Sequence, residues 1–87
     1  MRLVIIEWLD SFGCSSSWQP LDISTPKPMR VKSVGWLAYD GKDCKVVIPH
    51  LSSEAPPGET IRQGCGDMTI PTRSILKVTT LARGIRH

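Results

Sequence analysis

Seven prolines and seven glycines punctuate a chain of 87 residues, and no other feature narrows the fold as much. No window between them carries the i, i+3, i+4, i+7 apolar stripe with a capping residue that marks an amphipathic helix. The runs between the breakers are instead β-branched and aromatic, which favours strands. At this length a Rossmann sheet or a (β/α)₈ barrel does not fit, because a small chain buries too little surface for more than one compact core. One all-β domain over residues 1–81 is expected, followed by a frayed basic tail at 82–87.

The strands are readable in order. Residues 2–9 are almost continuously apolar, as in a strand buried on much of both faces. Residues 10–20 are small, polar and Ser/Gly-rich, a loop that holds Phe12 and Trp18, and residues 21–28 form an extended connection or weak edge around Pro26 and Pro28. Residues 29–39 and 44–50 flank Asp40-Gly41-Lys42-Asp43, a hairpin signal in which Gly41 is expected to supply a positive φ. The alternation shifts phase near Val34-Gly35-Trp36, which suggests a bulge or bend at Gly35.

Residues 51–66 are the longest irregular stretch, with a turn at Pro56-Pro57-Gly58 and close backbone approach at Gly64-Cys65-Gly66. Residues 68–70 and 75–81 bracket a single turn in which Pro71 suits the first position, where its missing N–H costs nothing. Strand, one 3₁₀ turn and last strand resemble the end of SH3-like and Sm-like barrels. About five strands in a small SH3-like barrel or roll are expected. Trp8 and Trp36 are the bulky candidates for its core.

The apolar run Leu3 to Ile6 stops at Glu7, short of the roughly 7–15 residues of a secretory h-region. No stretch approaches the roughly 18–20 apolar residues of a membrane-spanning helix. Cys14, Cys44 and Cys65 are an odd number, which reads as reduced thiols in a cytoplasm rather than a disulfide framework. The formal charge is +3, and all of the excess lies in residues 44–87, where six basic side chains face three acidic ones. That balance leans toward an anionic partner, but no basic-aromatic stripe points to nucleic acid.

Catalytic and metal motifs are thin. Cys14, Cys44, His50 and Cys65 have the residue types of a zinc set, yet no C-x₂₋₄-C knuckle supplies paired ligands, so no metal and no cofactor are expected. Cys44 reads as a small hydrophobe packed inward on its strand. Cys65 lies between two glycines and His50 is the non-terminal base, but nothing in the spacing pairs them, so no enzyme is expected. Neither a Walker nor a dinucleotide fingerprint is present. The most suggestive set is aromatic and cationic. Trp18, His50, Arg62 and Arg73, with Thr69 and Thr72 as hydroxyl donors, would offer a stacking face and phosphate donors if the fold brought them together. The alternative for Trp18 is a lid over the barrel end, and for each arginine a solvated rim.

Three segments carry a likeness: Ile6-Glu7-Trp8-Leu9-Asp10-Ser11; Ser33-Val34-Gly35-Trp36-Leu37 with Asp40-Gly41; and Gly64-Cys65-Gly66-Asp67-Met68-Thr69-Ile70-Pro71 followed by Ile75. Together they resemble small accessory proteins of tailed bacteriophages and prophages. The resemblance implies a role in the bacterial host cytoplasm against host defences. One such role is to sequester a nucleotide-type immune signal without cleaving it, as a homo-oligomer. Another is to inhibit a host defence protein by direct contact, as anti-CRISPR proteins do. A third reading, nucleic-acid binding through the barrel, is disfavoured by the modest charge.

Overall fold

A computed structural model describes residues 1–11, 17–18, 20 and 27–83. The expectations for Phe12, Cys14, the connection at 21–26 and the tail beyond Arg83 lie outside those residues. The chain is all-β. Its strands are β1 (Leu3–Asp10), β2 (Met29–Asp40), β3 (Cys44–Ile48), β4 (His50–Leu51), β5 (Gly64–Cys65), β6 (Met68–Pro71) and β7 (Ile75–Ala82), with one 3₁₀ turn, η1 (Thr72–Ser74), between the last two. No helix among the described residues is long and apolar enough to cross a membrane.

Five of the strands form one antiparallel sheet in the order β6-β3-β2-β1-β7. The first strand therefore lies between the second and the last, and η1 links the two edge strands at the end of the chain. This is the barrel-like roll expected from the sequence. No hydrogen-bonded ladder joins β6 to β7, so the roll is open along that seam.

Period-2 alternation decides which side chains enter the core. Val4, Ile6 and Trp8 point inward from β1 and meet Leu37, Val47 and Ile70, with Val31, Ile75 and Val78 packed against them. Each fully buried aliphatic side chain contributes about 1.5–3 kcal/mol relative to exposure. The Trp8 indole brings an N–H into this core, and Ser33 Oγ accepts it at 3.0 Å, which explains a serine on the inward face of β2. Leu3, Ile5 and Leu9 on the other face of β1 are half-buried, in keeping with an apolar strand flanked on both sides.

Three local expectations change. Alternation runs unbroken through Gly35, which is buried beside Leu37 on the inward face; the irregularity in the β2–β3 ladder falls between Leu37 and Tyr39. Gly35 is needed for close approach instead, since a Cβ there would lie 2.7 Å from the Ile48 carbonyl oxygen. The hairpin at Asp40–Lys45 forms as expected, but Gly41 is not among the positive-φ glycines. It leaves room for the Tyr39 ring, which a Cβ would meet at 2.2 Å. Pro71 ends β6 and precedes η1, with φ −59° and ψ 133°, one position earlier than expected. The turn is tied down by Thr72 N–H donating to the Asp43 carbonyl at 2.9 Å.

Cys44 is half-buried at the start of β3. Alternation puts it on the face opposite Val47, so it does not enter the core as the sequence suggested. At the same end of the roll Arg2 reaches Asp40 at 3.2 Å and Thr80 Oγ1 at 2.9 Å. Lys45 also donates to Asp40. These two cations hold the Asp40 carboxyl below its ordinary pKa, with the Lys45 hydrogen bond the larger cause.

Candidate functional site

The stretch that the sequence marks as irregular leaves the main sheet at Pro49 and builds a second, two-stranded one. In it His50 stands opposite Cys65 and Leu51 opposite Gly64. The ladder continues one step further, with Ser52 N–H donating to the Gln63 carbonyl at 2.8 Å and Gln63 N–H donating to Ser52 Oγ at 2.9 Å. Beyond it Glu59 N–H donates to the Pro56 carbonyl at 3.0 Å, and Gly58 takes φ 82°. A proline followed by a left-handed glycine inside that bond fits a type II turn.

Glycines seat this arm against the sheet. A Cβ on Gly64 would lie 2.1 Å from Ile48 Cδ1, and one on Gly66, at φ 79°, would lie 3.0 Å from Pro49 Cγ. Ile48 is buried yet is not part of the cluster around Val4 and Ile6. Its cover is the arm, on the outer face of the sheet.

Between arm and sheet lies an open pocket of about 500 Å³, lined by Trp36, Pro49, His50, Leu51, Ser52, Gln63, Gly64 and Cys65. Its size is within the range of small-molecule sites. Trp36 is the aromatic wall. It occupies the phase of β2 opposite Gly35 and Leu37, so its ring faces the arm rather than the core. Ser52 Oγ also donates to the Glu54 carbonyl at 2.9 Å, so the hydroxyl stiffens the rim; His50, Gln63 and Cys65 are the other polar side-chain-bearing residues of the lining. The lining contains no carboxylate.

Of the six residues singled out in the sequence, His50 lines this pocket. Arg62 is half-buried and immediately precedes Gln63. Thr69 is exposed on β6 opposite Val46. Thr72 and Arg73 belong to η1, where Thr72 Oγ1 is buried without a hydrogen-bond partner. Trp18 is fully exposed and is not part of the lining. Of the six, His50 is the one in this lining, and the aromatic wall is supplied by Trp36.

Trp36 is absent from the residues singled out in the sequence because a bulky aromatic within a strand reads first as a core candidate. The alternation Val31, Ser33, Gly35, Leu37 was the signal that places it outside. Reasoning from spacing also missed that His50 and Cys65 face each other, since they are separated by a long loop and only strand pairing aligns them. Among the described residues no three His, Cys, Asp or Glu side chains cluster as a metal site. Comparisons with protein-family models, curated proteins and solved structures found no match.

Proposed function

We propose that this domain is a non-enzymatic binding module that holds a nucleotide-type molecule in the pocket between Trp36 and the arm. The observation that carries the reading is the pocket itself: about 500 Å³ lined by Trp36, His50 and Gln63 among others, with no Asp or Glu in the lining. A heterocyclic base stacks on an indole regardless of its identity, worth about 1–3 kcal/mol per base. Gln63 presents both a donor and an acceptor to the edge of that base. His50, neutral or protonated, donates to a phosphate, and the absence of acidic neighbours in the lining leaves an anion unopposed.

Capture without turnover needs affinity alone, and it is the role implied by the resemblance to phage accessory proteins, where a host signalling nucleotide would be sequestered. The test is a thermal-shift and calorimetric panel of cyclic, linear and ADP-ribose-type nucleotides. At 100 times its dissociation constant, one of them should stabilise the fold by about 2.7 kcal/mol and be recovered chemically intact by mass spectrometry. Trp36→Ala should weaken that ligand by about tenfold or more, while Trp18→Ala leaves it unchanged. A panel with no stabilising nucleotide overturns the reading, and so does recovery of a cleaved product.

A further inference from the structure

We propose that the edge of β2 between Met29 and Val34 takes up an extended peptide strand in which acidic and apolar side chains alternate. β1 pairs with β2 from Met29 to Trp36, whereas the β3 ladder reaches back only as far as the Trp36–Ile48 pair. Past that pair the chain turns off at Pro49 into the arm. Among the described residues no strand occupies the lane beside Met29–Gly35 on the side away from β1. An antiparallel strand paired on one side aims alternate N–H and C=O groups away from its partner, and such a row is a template for one more strand. Where the lane meets the end of β3 lies a cavity of about 200 Å³, lined by Ser33, Val34, Val47, Pro49, Gly66 and Met68. It has room for an apolar side chain of the incoming strand, beside the exposed Val34 and Met68.

The side chains of β2 select what that strand carries. Val31 packs against the core and Ser33 accepts the Trp8 N–H, so these two face inward. Arg30 and Lys32 occupy the opposite phase and are exposed. Lys32 lies 4.0 Å from Glu7 yet stays 73% exposed. Arg30 stands opposite Leu9 and has no ion pair among the described residues. Directly opposite residues of an antiparallel pair share a face. Acidic side chains at alternate positions of the incoming strand therefore meet the two cations, and the apolar ones between them turn inward beside Val31. A second copy of this chain fits poorly. Two-fold pairing centred on Val31 sets Arg30 against Lys32, and pairing centred on Lys32 sets that lysine against itself; like charges directly opposite are destabilising. The edge rejects itself and accepts opposite charge. This inference uses neither Trp36 nor Gln63, so it does not rest on the nucleotide reading.

The probe is an end-blocked hexapeptide of alternating glutamate and valine, titrated into the whole chain by calorimetry and amide-resolved NMR, with a lysine–valine hexapeptide as control. One peptide per chain is expected, with slowed hydrogen exchange at alternate amides between Met29 and Val34. N-methylation of the peptide backbone should abolish binding at every second position and be tolerated at the others. Arg30→Gln and Lys32→Gln should each weaken binding about twofold to fivefold, and Arg30→Glu/Lys32→Glu should prefer the lysine–valine peptide. Both residues are exposed, so unchanged melting curves will show that the variants fold. No binding, equal affinity of the parent for the two peptides, or an N-methyl scan without a period of two would each overturn the proposal. So would amides of Met29–Val34 that are all protected in the free chain, which would mean that the chain itself fills the lane, or protection that rises with protein concentration alongside a dimer in sedimentation. A peptide result with no nucleotide result leaves this inference standing and removes the proposed function; the opposite pair of results does the reverse.

Discussion

The curled sheet and the arm are built by different means. In the sheet, side chains from five strands alternate into one cluster, and the backbone is held by long antiparallel ladders. In the arm, two strands of two residues each are held by a few bonds around Ser52 and Gln63 and by glycines laid against Ile48 and Pro49. The sheet has the hydrophobic burial and presents little chemistry. The arm has little burial of its own and carries His50, Gln63 and Cys65. Stability and chemistry are thus separated within a very small domain, as is usual when a rigid scaffold positions a functional loop.

Two glycines sharpen that contrast. Gly35→Ala inserts a Cβ 2.7 Å from the Ile48 carbonyl oxygen and 2.9 Å from its carbon. Backbone cannot turn aside as a side chain can, so β2 and β3 must part, at a cost of about 1–3 kcal/mol. Urea denaturation should show this as a lower midpoint with the slope unchanged. Gly64→Ala inserts a Cβ against Ile48 Cδ1, the far end of a side chain that can change rotamer, and 3.1 Å from the His50 carbonyl oxygen, which belongs to the short arm itself, so global stability should fall by less than about 1 kcal/mol. Hydrogen exchange should instead quicken at Ser52 and Gln63 while the β1 amides keep their protection. Equal losses of global stability from the two alanines would break the distinction between sheet and arm.

The smallest effect concerns pH. Asp40 has its pKa lowered in the folded protein by Lys45 and Arg2, so its contribution is complete above the ordinary carboxylate pKa and is lost as pH falls through the depressed folded value. The group is exposed, so the contribution is modest and screened by salt. Melting temperatures of the parent and Asp40→Asn should differ at pH 6 in low salt, converge on acidification and approach each other in high salt. A gap that stays constant into strong acid would show that Asp40 acts through something other than its charge.

Much of the sheet was legible before the structure. The five main strands, the Asp40-Gly41 hairpin and the turn before the last strand all follow from short-range patterns, because strand periodicity and turn chemistry act over a few residues. Even there the reasons differed in places: Gly41 makes room for Tyr39 rather than adopting positive φ, and Gly35 permits close approach rather than a bulge. The candidate site was much less legible. A Trp in a strand has two possible faces, and one step of register moves it from core to surface. Arg62, Thr69, Thr72 and Arg73 looked like partners because cationic and hydroxyl side chains suit phosphate. Residue type carries no information on whether a 3₁₀ turn and an arm converge.

By itself the sequence determined that the chain would pleat and where it would turn, since those outcomes depend on neighbours along the chain. Only the tertiary structure decided that Trp36 faces the arm and that His50 meets Cys65. Both depend on pairing between residues far apart in sequence, where register is set by how the whole sheet buries its core and by where glycine lets two backbones touch.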